Sequence, residues 1–446
     1  MSTLQRATMF VFLSVPWFLS TSNLDAATIT AASCSVTDVQ SAVNSASDGD
    51  TVNVPPGNCT WSTGIVVSKQ ISIIGSTNGC PSACDGASTI NVADGITAVR
   101  IQANGVRVSG FTFVGEGTAF GLIDVHKTGG GLVNWRIDHC HFKNVGQKTP
   151  ANRSINVGRY GGITENIRRN FPGLIDNNYF SGTKQNKAIQ VYGGSGTYTS
   201  WNDTLTLGGP DFLFIEDNRF DFEIFTDGVG CFDSDCGGRF VFRYNWFHHC
   251  WITAHGQEQI SDIILPWRST HGWEIYNNVW EDDKYYWIRA NMRGGTGVIY
   301  NNAWNLSAKA NVNIPFLFQY QRGDYAATCN SDKACNGSNI TYDGNEDASG
   351  YPCYQQIGMT GANGITKFPV YEWNNYWQGV ACGSPGYECF GITYSTGCPT
   401  QHVQFGRDII KNGTVPKPGY TAYRYPHPLR AGAGDVSPPR NLRIQQ

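Results

Sequence analysis

The chain has 446 residues, a formal net charge of −3, 52 glycines, 13% aromatic residues and only 15% charged residues. That balance excludes a basic nucleic-acid binder and a charge-rich disordered chain. It suits an all-β solenoid with many tight turns, which can lengthen by adding coils and remain one domain.

Residues 1–27 read as a secretory signal: Arg6 precedes an apolar run from Ala7 to Leu19, and Asp25-Ala26-Ala27 supplies small residues for cleavage. The run is short and interrupted by Pro16, unlike a membrane anchor. The mature protein is therefore expected to be secreted, extracellular or periplasmic, monomeric, and without a membrane or nucleic-acid partner. Fourteen cysteines fit an oxidising compartment. Cys34 and Cys59 bracket the first elements, and Cys80/Cys84, Cys231/Cys236, Cys329/Cys335 and Cys382/Cys389 lie close in sequence. A zinc site is the rival reading, but no CxxC pair or HExxH occurs. Connectivity cannot be read from the spacing.

Thr37 to Ala46 has the apolar spacing of a short amphipathic helix, with Thr37 as its N-cap, placed to cover the open end of a solenoid. Strands follow from Thr51. The chain then repeats one phrase, clearest in Phe242-Arg243-Tyr244-Asn245-Trp246-Phe247, Ile275-Tyr276-Asn277-Asn278-Val279-Trp280 and Ile299-Tyr300-Asn301-Asn302-Ala303-Trp304. Earlier copies are Ile137…Cys140…Phe142, Ile175…Asn178…Phe180 and Ile215…Asn218…Phe220, and Val108…Phe113 lacks the Asn. The closing aromatics at 113, 142, 180, 220, 247, 280 and 304 lie 24 to 40 residues apart, the period of a repeat architecture. Alternating apolar residues mark strands, and an Asn in mid-phrase marks a turn, since Asn tolerates left-handed φ/ψ. Stacked coils would set Asn178, Asn218, Asn245, Asn278 and Asn302 in one column, an Asn ladder.

With these phrases the chain resembles the pectate-lyase-like superfamily over most of residues 35–430. The resemblance implies a right-handed parallel β-helix. Beyond Asn305 the period loosens. Strands at Phe316–Tyr320 and Pro369–Asn375 flank an insertion, 321–368, that holds Cys329, Cys335, Cys353 and the oxygen-rich Asp343-Gly344-Asn345-Glu346-Asp347. Ala348 stands where a calcium loop of that spacing needs Gly, so a plain polar loop is expected. Tyr420 to Leu429 is expected to close a domain spanning 28–430, and 431–446 to form a flexible tail.

A second strand precedes each Asn phrase: Ile123-Asp124-Val125-His126, Ile155-Asn156-Val157-Gly158, Ile189-Gln190-Val191-Tyr192, Ile252-Thr253-Ala254-His255 and Ile288-Arg289-Ala290-Asn291. Period-two alternation sends the apolar pair inward and the other pair outward. One outward column then reads Asp124, Asn156, Gln190, Thr253, Arg289, and the other His126, Gly158, Tyr192, His255, Asn291. The coil from Asp227 to Asp235 contributes Asp233 and Asp235 between them. Trp201, Trp251, Trp267, Tyr285, Tyr286 and Trp287 flank the face as candidate sugar platforms, and Arg268 and His271 lie on a loop beside it. The plain alternative is a polar sheet facing water, but titratable clusters concentrate at functional sites.

His255-Gly256 is the sharpest local signal, an imidazole beside a residue with no side chain, suited to general acid–base work. Arg289 and Arg293 offer fixed charge to a carboxylate or an enolate-like oxygen. Phe240 to Phe247 followed by Thr253-Ala254-His255-Gly256 is similar to alginate-lyase and chondroitinase-B-like enzymes, which place Arg before His-Gly and a Lys one coil earlier. Here Ala254 stands at the Arg position and Asp233 or Asp235 in the preceding coil. Polygalacturonase-like hydrolases carry an Asp pair, Gly-His-Gly and Arg-x-Lys on successive coils. Asp233/Asp235, His255-Gly256 and Arg289 follow that order, with Ala254 and Asn291 departing from it.

The first reading is a lyase acting on an acidic, uronate-containing polysaccharide. His255 or Tyr192 removes the proton α to the carboxylate. Arg289 and Arg293, or a calcium ion on Asp233, Asp235 and Glu258, neutralise charge. His126, Gln190, Asn291, Trp251, Trp287, Arg268 and His271 bind substrate. The alternatives are a glycoside hydrolase using Asp233, Asp235 or Glu258 as acid and base, and a non-catalytic glycan-binding or adhesion solenoid.

Overall fold

The computed structural model describes residues 26–76, 88–128, 130–158, 171–195, 198–256, 269–307, 314–320, 351–353, 355–394 and 402–431. The signal segment, most of the 321–368 insertion and the tail lie outside the described residues.

The chain winds through three long sheets in turn. One full coil runs Gly173–Asp176 in sheet A, Tyr179–Gly182 in sheet B and Lys187–Tyr192 in sheet C, and the next begins at Leu213–Glu216 in sheet A. Among the described residues sheet A has 12 strands, sheet B 11 and sheet C 10, ordered by successive coils except where Tyr376–Trp377 and Val380–Ala381 end sheet B as an antiparallel hairpin. Neighbouring coils pair in parallel. This is a parallel β-helix. Inward residues fill it with Val, Ile, Phe and Trp in one continuous core. The closing aromatics of the repeated phrase stack face to face: Phe113, Phe142, Phe180, Phe220, Phe247, Trp280 and Trp304 have successive centroid separations of 5.6, 5.0, 4.7, 5.0, 4.5 and 5.7 Å.

The Asn column is present at the A-to-B turn, and is one residue longer than the phrases predict. Each Nδ2 donates to the next Oδ1, at 3.0–3.1 Å from Asn178 through Asn218, Asn245, Asn278 and Asn302 to Asn375. The same oxygens also accept the backbone N–H of the preceding Asn. The left-handed residue is not the ladder Asn, as expected from sequence, but the one before it: Asn177, Asp217, Tyr244, Asn277, Asn301 and Asn374 have φ of 52° to 59°. The turn needs one positive φ to re-aim the chain. The next side chain then points into the stack, where amide pairing rather than backbone tolerance selects Asn. Cys140 heads the column and its N–H donates to Asn178 Oδ1. Burial pushes its thiol up to about 12, so it stays protonated.

The terminal helix spans Val36–Ser45 and buries Val39, Ala42 and Val43 against the first coils. Its N-cap is Ser35, which accepts the Asp38 N–H at 3.2 Å, two residues earlier than the expected Thr37. Disulfides join Cys34–Cys59, Cys231–Cys250 and Cys382–Cys389. Cys231 thus reaches the next coil rather than nearby Cys236, because stacking, not sequence separation, sets proximity. No helix among the described residues is long and apolar enough to cross a membrane.

The 420–430 segment runs as a strap back across the outer face of sheet A. Tyr420 donates to Glu274 at 2.6 Å, Arg243 to the carbonyls of Tyr423 and Arg424 at 2.7 and 3.0 Å, and Arg430 pairs with Asp217 at 2.5 Å. Beneath it a second apolar cluster gathers Leu174, Phe214, Val241, Tyr276, Tyr300 and Trp373.

Candidate active site

Sheet C positions the candidate residues. Its register sets Asp124, Asn156, Gln190, Asp233, Thr253 and Asn291 side by side on successive strands. Tyr192 pairs with Asp235. His255 and Arg293 continue that second column, since their N–H groups donate to Ser234 and Ala254 carbonyls at 2.8 and 3.0 Å. The first column forms a buried polar floor, with Gln190, Asp233, Thr253 and Asn291 each at most 5% exposed. His255 and Arg293 stand half-buried above it.

The alternation over residues 123–192 and 252–255 holds. The last strand is displaced by two residues: Ala290, not Ile288, pairs with Ile252. A period-two pattern cannot detect a slip of two. Arg289 is consequently not in the face at all. It is fully buried, pairs with Asp282 Oδ2 at 2.5 Å, donates to the carbonyls of Tyr286 and Ile288 at 2.9 Å, and stacks over Phe225. Arg293 takes the place expected for Asn291, and Asn291 moves to the floor beside Thr253, donating to Gln319 at 2.7 Å.

Asp233 is the centre of the cluster. Its Oδ2 lies 2.6 Å from Lys187 Nζ and its Oδ1 2.7 Å from His255 Nδ1. Lys187 also donates to Gln190 at 3.0 Å. Burial alone would raise the Asp233 carboxyl, but His255, Lys187 and Arg293 outweigh it and hold the group below the usual carboxylate range. Both Asp233 oxygens already face nitrogen partners, Lys187 Nζ and His255 Nδ1, which leaves this carboxylate poorly placed to ligate the calcium expected on Asp233, Asp235 and Glu258. Asp235 accepts the Cys236 N–H at 2.7 Å, and Glu258 lies outside the described residues. Tyr192 receives the Arg153 guanidinium at 3.0 Å. Burial raises its phenol well above the ordinary value. Arg153 opposes this and Asp235 and Asp233 add to it. Tyr192 therefore stays protonated and suits an acid better than a base.

The other expected residues are dispersed. His126 occupies the second column four strands from His255, roughly 19 Å along the sheet. Trp251 stacks on Tyr286 at 5.5 Å and both are buried. Trp201 and His271 are fully buried and stack on each other at 4.2 Å, with His271 Nε2 2.9 Å from Thr360 Oγ1. Trp287 and Tyr285 are the flanking aromatics that stay open, 45% and 60% exposed. Arg268 and Trp267 lie outside the described residues.

Sequence reasoning missed Lys187 and Arg153. Both precede their strands' apolar residues at positions that alternation assigns to the interior. Their heads instead reach outward groups, Gln190 and Asp233 for Lys187, Asn156 and Tyr192 for Arg153. A basic residue two before the inward Ile at 155 and 189 was the available signal.

No protein-family model and no curated protein sequence matches this chain. Among solved structures it is similar to an alginate lyase from Paenibacillus sp. str. FPU-7, at 16% identity and TM-score 0.40 over 67% of this chain and 99% of that one. It is also similar to a PL6 family alginate lyase, AlyGC, at 15% identity and TM-score 0.36 over 83% and 53% of the two chains. The catalytic domain of a GH87 α-1,3-glucanase matches at 10% identity and TM-score 0.29 over 83% and 68%. At such identities and scores the reaction is a question for the side chains.

Proposed function

We propose that the protein is an exported polysaccharide lyase that cleaves a uronate-containing chain by β-elimination on the outward face of sheet C. The observation that carries this reading is the Asp233–His255 pair, 2.7 Å apart, with Arg293 on the following strand of the same face. Asp233, kept ionised, holds the Nδ1 edge of the imidazole and leaves proton transfer to Nε2. A neutral His255 takes the proton α to the uronate carboxylate. Arg293 neutralises that carboxylate and the negative charge that develops on it. The electron pair forms the new carbon–carbon double bond as the glycosidic C–O bond breaks, and Tyr192 gives its proton to the leaving oxygen. The floor of Gln190, Thr253 and Asn291 and the open rings of Trp287 and Tyr285 supply hydrogen bonds and stacking for sugars. The disulfides suit an exported protein.

A hydrolase would need a carboxylic acid able to hold a proton at the bond, and the cations around Asp233 oppose that there. The test is a panel of acidic and neutral polysaccharides scored for reducing ends and for the ultraviolet absorbance of an unsaturated product. Both signals on an acidic polymer, abolished by His255→Ala, are expected. Reducing ends without absorbance would replace elimination by hydrolysis. Binding without either signal would make the face an adhesion surface.

A further inference from the structure

A second cluster lies on sheet B, away from the face just described. His248 ends the strand Trp246–His248, and His249 follows it with φ +47°. Adjacent residues in a strand point to opposite faces. The left-handed turn at His249 breaks that alternation and brings the two rings to 3.8 Å between centroids. Asn144 and Gln378 take similar positive φ values after strands of the same sheet. The backbone there is thus satisfied by other residues, and its need for a turn does not explain a histidine.

The hydrogen bonds fix both imidazoles. His249 Nδ1 lies 2.6 Å from the Phe222 carbonyl, which only accepts, so Nδ1 carries the proton. His248 Nδ1 lies 2.9 Å from Asp221 Oδ1, a carboxylate, with the same consequence. This is the outer-shell arrangement that orients metal-ligating histidines: one ring N–H is given to a carbonyl or carboxylate and the other nitrogen presents its lone pair. Both Nε2 atoms face Asp283. His249 Nε2 is 2.8 Å and His248 Nε2 4.0 Å from its Oδ1, and one donor atom from each residue falls within 4.8 Å of the others. Two lone-pair acceptors at 2.8 Å repel unless a cation lies between them, either a proton on Nε2 or a metal ion. Asp283 is 63% exposed at the side chain and free to adjust, and an open groove of ≈ 840 Å³ gives access past His248.

We infer that His248, His249 and Asp283 form a binding site for a divalent transition metal of the zinc type, with Asp221 and the Phe222 carbonyl as its outer shell and the groove side open to water. Two imidazoles and one carboxylate select such an ion over calcium or magnesium, which take all-oxygen sets. The neighbouring Asp282 accepts the His249 N–H and pairs with Arg289, so the ion would tie sheet B to the turn that leads into the strand Ala290–Met292.

Zinc binding by the chelator-stripped full-length protein, measured by competition with a chromophoric zinc indicator at pH 7.5, tests this. One equivalent per chain is expected. Asp283→Asn, at an exposed position that leaves folding intact, should weaken it at least tenfold, and Asp221→Asn should weaken it by about 10- to 100-fold. Cobalt should give visible d–d bands that excess calcium does not remove and Asp283→Asn does. Absence of binding at stoichiometric zinc would overturn the site and assign the 2.8 Å contact to a proton. Binding unchanged in both variants, or lost in His255→Ala instead, would overturn it equally.

Discussion

Sheets A and C carry comparable charge on their outer faces and use it in opposite ways. On sheet A, Asp138, Asp176, Glu216 and Arg243 stand in register on successive strands, joined by Arg107, Arg136 and Arg430. The C-terminal strap covers most of this column, and Asp138, Asp176, Glu216 and Arg243 are all fully buried. Their charges are spent on one another and on the strap's carbonyls. On sheet C the floor is equally buried, but Lys187, His255 and Arg293 remain partly open above it. A charged column is therefore not in itself a site. What separates the two faces is whether a segment of the chain occupies the place a ligand would take.

The largest effect expected to sharpen this contrast is at His255. His255→Ala should lower turnover by about 10²- to 10⁴-fold, the usual contribution of a positioned acid–base group, with little change in melting temperature. Full activity in that variant would remove the face from the mechanism. On the strapped face the opposite holds. Arg243 donates to Tyr276 at 3.0 Å and to two strap carbonyls and pairs with Glu216 at 2.5 Å. Arg243→Ala leaves a buried carboxylate unpartnered and should cost about 3–5 kcal/mol in denaturant unfolding. Stability within experimental error of the parent would show that the strap does not depend on the column.

The two arginines near the last strand of sheet C provide a crossover. Arg293→Ala should reduce turnover on acidic polymers without altering unfolding. Arg289→Ala should do the reverse, because Asp282 would lose its buried partner. Identical profiles for the two variants would contradict the observed register. A smaller effect belongs to the ladder. Asn278→Ala removes the acceptor of the buried Asn245 backbone N–H and one link of the ladder, and should cost about 1–3 kcal/mol, read as a lower denaturation midpoint.

The most local effect is a pH dependence of the strap. Burial raises the Asp217 carboxyl to about 7. Glu216 adds to this, and Arg430 and Tyr425 oppose it. Its folded value lies above the unfolded value near 4. The stability it contributes is therefore full below about pH 4 and is lost as pH rises towards 7. Amide exchange or limited proteolysis at residues 420–430 should accelerate across that window, and Asp217→Asn should flatten the dependence. A strap that tightens as pH rises would reverse the sign and make the Arg430 pair dominant.

The sequence by itself determined the solenoid. Its repeated phrase carries period-two alternation, a mid-phrase Asn one residue past the turn and a closing aromatic, which stacking then multiplies into sheets, ladder and aromatic column. It also determined that His255, Tyr192 and Gln190 point outward, because alternation within a strand is local. Only the tertiary structure decided what depends on neighbouring coils. It set the two-residue register that buries Arg289 and presents Arg293, and the outward turn of Lys187 at a strand's first residue. It paired Cys231 with Cys250, packed His271 and Trp201 together, and laid the strap that silences the charges of sheet A. Each of these is a contact between residues distant in sequence, and a pattern that repeats every two residues along one strand holds no information about which strand lies beside it.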